Sequence, residues 1–182
     1  MSGIDFGIAG RKAVVCASSK GLGFGCANAL AAVGVNLVMC ARGAERLHEA
    51  ANQLRKKHGV EVTEIVCDVT TEEGRAAILE AAGKVDILVN NAGGPPPGDF
   101  RDWTRDTWIA ALDANMLSAF ALIQAVIDPM IDQKFGRIVN ITSGSLDTPG
   151  IIPLLSSTII TYGSLSLNKL VISFSTHCIC WS

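Results

Sequence analysis

The sequence of 182 residues has few aromatic residues, a single tyrosine, and no excess of positive charge. It has 15 basic and 17 acidic residues, and the basic residues form neither runs nor patches. We therefore expect neither nucleic acid nor a membrane as a partner. The N-terminal residues do not show a charged segment followed by an apolar stretch, which argues against a secretory signal. The longest apolar window, around 116–127, is interrupted by Ser118 and Gln124 and is too short to span a bilayer.

The spacing of the cysteines is not typical of a disulfide framework or of a zinc site. The six are Cys16, Cys26, Cys40, Cys67, Cys178 and Cys180. The first four lie in predicted strands or a helix, where they substitute for small apolar residues. His177, Cys178 and Cys180 lie too close together for a zinc knuckle and lack a second ligand pair, so no metal site is predicted. Free thiols favour a reducing compartment, and we expect a cytoplasmic protein.

Short apolar runs alternate with amphipathic segments along the chain. Strands are predicted at 12–16, 35–41, 60–67, at the VNNAG segment and at 137–142, with helices up to 32 and at 44–58, 70–82 and 103–133. Such alternation predicts an α/β fold, a doubly wound parallel sheet with helices on both faces, in one domain spanning 1–182. The alternation alone does not identify a family, because sheets of this architecture occur in many families.

The segment 85–94, VDILVNNAGG, is the most informative in the chain. A buried apolar strand ends abruptly in two amides, an alanine and two glycines, at the end of the strand where open α/β sheets bind their ligands. The segment resembles the NNAG signature of the short-chain dehydrogenase/reductase family, in particular its 3-oxoacyl-acyl-carrier-protein reductase-like members. The resemblance implies a Rossmann-type fold and places Asn91, Ala92 and Gly93 beneath the adenosine ribose.

A glycine turn follows the first predicted strand and opens a helix. Gly21 and Gly23 let the backbone approach a diphosphate, which the helix N-terminus would bind through free N–H groups. Ala17 stands in this chain where the family has the first glycine of this turn. The pattern fits a tight strand-to-helix turn about as well as a nucleotide site, and the VNNAG segment favours the latter. The residues predicted to bind the cofactor here are Ala17, Ser19, Lys20, Gly21, Leu22 and Gly23.

The end of the second predicted strand indicates which nucleotide binds. Arg42 stands there without a carboxylate, and Lys20 adds a second cation nearby, so NADP(H) is predicted in preference to NAD(H). The alternative is that Arg42 is a solvated residue at the start of a helix. Asp68 and Val69 resemble the family's pair at the edge of the adenine.

The family's catalytic positions are matched only in part. Ser143 matches the serine that contacts the substrate oxygen, and Asn115 matches the asparagine thought to hold a water. The family's general acid is a tyrosine followed four residues later by a lysine, but Ser156 and Ile160 stand at those positions here. Tyr162 is the remaining candidate proton donor. The resemblance therefore implies an NADP(H)-dependent oxidoreductase acting on a small carbonyl or alcohol, often a dimer or tetramer.

The resemblance extends to about 143–157, and residues 158–182 form a divergent tail with the family's C-terminal elements incomplete. A frame shift or incomplete gene, a poorly determined sequence, and a divergent member without the tyrosine–lysine pair are three explanations. The alternative function is a nucleotide-binding or oligomerising protein that has lost its catalytic acid.

Overall fold

The computed structural model describes residues 5–91 and 100–141 and two short strands beyond them. Five parallel strands form one sheet in the order β3-β2-β1-β4-β5. They are β1 (Lys12–Val15), β2 (Asn36–Ala41), β3 (Val62–Val66), β4 (Ile87–Asn91) and β5 (Arg137–Ile141). The remaining two strands, β6 (Ile159–Ile160) and β7 (Phe174–Ser175), pair with each other in antiparallel fashion. The predicted α/β class and doubly wound parallel sheet are confirmed.

Helices cover both faces of the sheet, as the alternating sequence pattern predicts. They are α1 (Gly21–Ala32), α2 (Ala44–His58), α3 (Glu72–Ala82), α4 (Arg105–Leu112) and α5 (Ser118–Asp132). The side chains of each strand alternate between two buried clusters. Val15 and Met39 pack with α1 and α2 on one face, whereas Val14 and Val38 pack with α3 and α5 on the other.

Local chemistry accounts for the helix boundaries. The α2 helix ends at Gly59, which has a φ of 70°, and glycine adopts this left-handed conformation without the steric cost that a Cβ brings. The α3 helix begins two residues later than predicted because the side chain of Thr71 accepts a hydrogen bond from the backbone N–H of Gly74. Thr70 and Thr71 thus form the turn before the helix rather than its first residues.

The predicted helix over 103–133 is interrupted. A short 3₁₀ turn (Phe100–Asp102) precedes α4, and a π-helical turn (Asp113–Leu117) joins α4 to α5. The helical run Arg105–Asp132 is long and apolar enough to cross a membrane by length and composition, with a mean hydropathy of 1.6. Core helices of soluble proteins meet the same criterion, and Leu122, Val126 and Met130 of this run pack against the sheet.

A buried carboxylate fixes the amino ends of the central strands. Asp86 is 4% exposed and precedes β4. Its Oδ1 lies 3.2 Å from Arg11 Nη1, and its Oδ2 accepts a hydrogen bond of 3.0 Å from the backbone N–H of Lys12. The Arg11 guanidinium also lies over the ring of Phe135, 3.9 Å from its centroid. These contacts join β1, β4 and the loop before β5 at the end opposite the cleft described next.

Candidate nucleotide-binding cleft

The turn after β1 is held against β2 by a buried serine. Ser18 is fully buried, and its backbone N–H donates to the carbonyl of Cys40 at 2.9 Å. Ala17 has a φ of 45°, so the residue that replaces the family's first glycine adopts the left-handed conformation that glycine tolerates without strain. The turn therefore contains an alanine in a backbone conformation that is strained for a residue with a Cβ.

Position 23 is a glycine because its neighbours leave no room for a Cβ. A Cβ built on Gly23 would lie 2.5 Å from the carbonyl oxygen of Ala17 and 2.6 Å from Nδ2 of Asn91. That Asn91 amide donates to the carbonyls of Cys16 at 3.4 Å and Ala17 at 3.3 Å. Asn91 therefore links the end of β4 to the glycine turn.

The N-terminus of α1 presents the chemistry of an anion site. Lys20 caps the helix in an extended conformation without a side-chain hydrogen bond, and the first turn has no acidic residue. The backbone N–H groups of the first turn of α1 and the positive end of the helix dipole are therefore available to bind an anion. Gly21, with a φ of 58°, and the exposed Leu22 form the start of this turn.

A cavity of about 460 Å³ opens beside this turn, at the carboxyl ends of the strands. It brings together six of the residues predicted to bind the cofactor. They are Ala17, Ser19, Lys20, Arg42, Asp68 and Val69. Gly21, Leu22, Gly23 and Asn91 do not line this cavity, although they shape the turn at its edge. Ala92 and Gly93 lie outside the described residues.

Among the described residues, three cations and one carboxylate line the cavity. Lys20, Arg42 and Arg46 contribute the positive charges, and Asp68 contributes the negative one. Arg42 Nη1 lies 3.9 Å from Asp68 Oδ2, and the Arg42 side chain is 80% exposed. A guanidinium so exposed and so loosely paired remains available to an incoming phosphate.

Asp68 is held ionised by its own turn. Its Oδ1 accepts hydrogen bonds from the backbone N–H of Thr70 at 3.0 Å and from the Thr70 hydroxyl at 2.9 Å. These bonds, together with the neighbouring Arg42, lower the pKa of Asp68 despite the opposing effect of burial. The carboxylate is therefore a fixed hydrogen-bond acceptor among the residues that line the cleft.

Of the three predicted catalytic residues, only Asn115 is described. It lies in the π-helical turn between α4 and α5, and its Nδ2 donates to the carbonyl of Ala111 at 2.8 Å. The neighbouring Ala114 lines the cavity, so this turn faces the cleft. Ser143, Tyr162, and the cluster at 177–180 lie outside the described residues.

The β4 and β5 strands are also joined by a buried amide pair beneath the cleft. Asn90 Nδ2 donates to Asn140 Oδ1 at 2.7 Å, and both side chains are more than nine-tenths buried. The Asn90 Oδ1 atom has no hydrogen-bond partner among the described residues. Since Ser143 follows β5 by two residues, this pair fixes the strand that leads to it.

Sequence reasoning missed Arg46 and the thiols of the cavity wall. Arg46 lies in the first turn of α2 and is one of the residues that line the cavity. Its position four residues after Arg42 was the available signal. Cys40 and Cys67 also line the cavity, which a reading of cysteines as small apolar residues could not anticipate.

The chain is similar to proteins named as dehydrogenases and reductases over most of its length. It is 33% identical over 146 residues to the 3-oxoacyl-acyl-carrier-protein reductase of Chlamydia muridarum, covering 77% of this chain and 59% of that protein. Among solved structures it resembles L-sorbose reductase from Gluconobacter frateurii complexed with NADPH and L-sorbose, with a TM-score of 0.73 and 35% identity over 77% of this chain and 55% of that one. An NAD⁺-bound xylitol dehydrogenase is also similar, with a TM-score of 0.68 and 32% identity over 79% and 57% of the two chains.

The matched region coincides with the sheet and its cleft. The chain spans 52 to 60% of the length of curated relatives that it matches. The model of the short chain dehydrogenase family matches residues 11–152, which include the glycine turn, the NNAG segment and β5. The chain thus belongs to the short-chain dehydrogenase/reductase family.

Proposed function

We propose that the chain binds NADP(H) across the carboxyl ends of β1, β2 and β4. The diphosphate would lie against the turn from Lys20 to Gly23, the 2′-phosphate beside Arg42, and the adenine beside Asp68 and Val69. The observation that carries the proposal is the end of β2, where Arg42 faces a cavity shared with Lys20 and Arg46. An NAD-selective site would place a carboxylate at that strand end to accept the ribose 2′-hydroxyl.

The residues present fit this cofactor in shape and in charge. Gly23 allows the helix start to approach Ala17 and Asn91 more closely than a Cβ would permit, and the first turn of α1 offers N–H groups to an anion. Asp68 follows β3, accepts from Thr70 through Oδ1 and approaches Arg42 through Oδ2, so this carboxylate belongs to the turn after β3 and not to the end of β2. The NADPH complex of L-sorbose reductase supports the assignment, and the NAD⁺ complex of xylitol dehydrogenase makes a direct comparison of the two nucleotides necessary.

The reaction that we propose is hydride transfer between nicotinamide and a small carbonyl or alcohol. The cofactor supplies the redox chemistry, and the protein orients it and moves a proton. Ser143 would donate a hydrogen bond to the substrate oxygen, and Asn115 would support a water near it. Tyr162 is the proposed proton donor, in place of the family's tyrosine–lysine pair.

The nucleotide assignment can be tested without a substrate. Isothermal titration of the full chain with 2′,5′-ADP and with 5′-AMP isolates the contribution of the 2′-phosphate. We expect 2′,5′-ADP to bind at least about tenfold more tightly, which corresponds to about 1.4 kcal/mol. Equal affinities would show that Arg42 is a solvated surface residue and would overturn the NADP(H) preference.

A second candidate function is nucleotide binding without catalysis. The sequence favours it at one point, since Ser156 and Ile160 stand where the family has its tyrosine and lysine. NADPH oxidation with a panel of ketones separates the two functions. Turnover that is lost in the Tyr162→Phe and Ser143→Ala variants supports the enzyme, whereas tight NADPH binding with no turnover on any ketone supports the second candidate.

We propose a single domain spanning 1–182, a homo-oligomer formed by two or four chains, and a cytoplasmic location. Exposed apolar side chains on the helical run from α4 to α5 support the oligomer. They are Ile109, Met116, Leu117, Phe120 and Ile131.

A further inference from the structure

The turn after β3, which carries Asp68, is held by an arginine of α3. Arg75 is half-buried, and its Nη1 donates to the carbonyl of Val69 at 3.0 Å and to the carbonyl of Thr70 at 2.9 Å. One terminal guanidinium nitrogen has two N–H groups, so it can bind both carbonyls at once. Within the described residues Arg75 forms no ion pair, and it does not line the cavity. Its guanidinium therefore serves the backbone of this turn.

Each of the two carbonyls belongs to a peptide group whose N–H bonds to Asp68. The C=O of Val69 and the N–H of Thr70 share one planar peptide group and point in opposite directions. Arg75 binds this carbonyl, and the N–H donates to Asp68 Oδ1 at 3.0 Å. In the next peptide group, Arg75 binds the carbonyl of Thr70. The N–H of that group, from Thr71, donates to the carbonyl oxygen of Asp68 at 3.1 Å. Arg75 thus fixes the two peptide planes that hold Asp68.

These hydrogen bonds leave one carboxylate oxygen of Asp68 free to bind a ligand. Oδ1 accepts from the N–H and the hydroxyl of Thr70, whereas Oδ2 lies 3.9 Å from Nη1 of Arg42, beyond the length of a hydrogen bond. Asp68 lines the cavity, and its side chain is 35% exposed. An ionised carboxylate accepts hydrogen bonds and donates none. It therefore attracts an amino group of a base and repels an oxo group at the same place.

We propose that Arg75 is a positioning residue of the cleft, which orients the Asp68 carboxylate through the two peptide groups of Thr70 and thereby makes the site select a base with an amino group. The base preference rests on the proposed dinucleotide site, whereas the hold of Arg75 on the turn does not. Arg75 acts on the base only through Asp68, since it lies outside the cavity lining.

The turn has a second support, so the loss of the guanidinium should loosen the carboxylate without unfolding the turn. The Thr71 hydroxyl donates to the carbonyl of Asp68 at 3.0 Å and accepts from the N–H of Gly74 at 3.0 Å. The side chain of Val69 is buried in the apolar cluster beneath α3. These contacts hold the backbone of Asp68 and the start of α3, while Arg75 holds the carbonyls between them.

The hold on the turn is measured without a nucleotide. Amide hydrogen exchange of the full chain, followed by NMR, reports on the Thr70 N–H, which bonds to Asp68, and on the Gly74 N–H, which bonds to Thr71. Arg75→Met keeps an unbranched side chain and removes the guanidinium. We expect this variant to raise the exchange rate of Thr70 about tenfold and to leave that of Gly74 within about twofold of wild type.

Arg55→Met is the matched control. Arg55 also reaches from a helix to a backbone carbonyl, because its Nε donates to the carbonyl of Val62 at 3.2 Å, and it does not line the cavity. We expect this variant to leave the exchange of Thr70 and the base preference unchanged. Arg75→Lys keeps a cationic donor near the turn and should lie between wild type and Arg75→Met in both measurements.

The base preference is measured with NADP⁺ and with its deamino analogue, in which hypoxanthine replaces adenine. The two share the 2′-phosphate, the riboses and the diphosphate, but the amino group of adenine is an oxygen in hypoxanthine. We expect wild type to bind NADP⁺ about tenfold more tightly, and Arg75→Met to bring this ratio to within about threefold of one. In the Asp68→Asn background, Arg75→Met should change the ratio no further, because the arginine acts through that carboxylate.

The two parts of the proposal are overturned by different results. An unchanged exchange rate of Thr70 in Arg75→Met would overturn the positioning role, and so would an equal rise at Gly74, because it would show a general loosening of α3. A wild-type ratio near one would overturn the base preference, and so would a further change caused by Arg75→Met in the Asp68→Asn background.

Failure of the proposed function is recognised separately. If wild type binds neither dinucleotide, the proposed site and its base preference fail, but the exchange of Thr70 still decides the role of Arg75. If 2′,5′-ADP binds no more tightly than 5′-AMP, the 2′-phosphate assignment alone fails, and the base ratio is then measured with NAD⁺ and its deamino analogue.

Discussion

Asn91, at the end of β4, donates its side-chain amide to the carbonyl oxygen of Ala17 at a distance of 3.3 Å. This bond crosses from the NNAG segment to the glycine turn, the two motifs on which the nucleotide assignment depends. It places Asn91, the last described residue of that segment, against the turn rather than in the wall of the cavity. The Asn91 amide would therefore affect nucleotide binding indirectly, because it holds in place the backbone that would bind the diphosphate.

Replacing Gly23 by alanine should damage the turn. The new Cβ would overlap the Ala17 carbonyl and the Asn91 amide, both closer than 2.7 Å, and the Asn91 bond would be lost. We expect the Kd for NADPH to rise by about tenfold or more, and the free energy of unfolding to fall by about 1–3 kcal/mol. Gly25→Ala is the matched control in the same helix, because a Cβ there meets nothing within 4 Å. An undiminished affinity in Gly23→Ala would contradict the described turn.

Restoring the family's first glycine should stabilise the chain. Ala17 has a φ of 45°, and relief of its left-handed strain in Ala17→Gly should raise the free energy of unfolding by up to about 1 kcal/mol. Ala29→Gly, at an exposed position of α1, should lower it by about the same amount, since glycine is unfavourable inside a helix. Urea denaturation measures the free energy of unfolding of both variants. Destabilisation in both variants would show that position 17 is not strained.

The stability contributed by Asp68 should depend on pH. Hydrogen bonds from Thr70 lower its pKa in the folded state, so its contribution is fully present above the ordinary value of 3.8 and is lost as pH falls through the lowered pKa. The difference in unfolding free energy between wild type and Asp68→Asn should therefore be constant near neutral pH and shrink in acid. A difference that grows below pH 3.8 would have the wrong sign for this account.

The exposed apolar side chains of the helical run should hold the proposed oligomer together. Phe120 is 51% exposed, and Met116 lies four residues before it on the same side of the helix. Phe120→Glu should reduce the mass measured by light scattering to that of one chain. Ala125→Glu, an exposed position elsewhere on α5, should leave the mass unchanged. A wild type that is monomeric at all concentrations would refute the oligomer.

The sequence predicted the alternation of strands and helices well because each strand is a short apolar run bounded by turn residues. It did not predict the π-helical turn Asp113–Leu117, in which the amide of Asn115 donates to the carbonyl of Ala111, because the apolar pattern of this segment continues through the turn. The cavity wall was also only partly predictable. Arg42 and Asp68 stand at strand ends, where ligands are expected, but Arg46 reaches the cavity from a helix.

The central claim is that Arg42 selects a phosphorylated dinucleotide, and the most direct test is the ratio of the Kd values for NADH and NADPH in wild type and in Arg42→Ala. Lys56→Ala is the control, a cation near the far end of α2 that does not line the cavity. We predict that wild type and Lys56→Ala favour NADPH by about tenfold or more and that Arg42→Ala loses most of this preference with little change in NADH affinity. A ratio near one in wild type, or a preference that survives the loss of Arg42, would contradict the account.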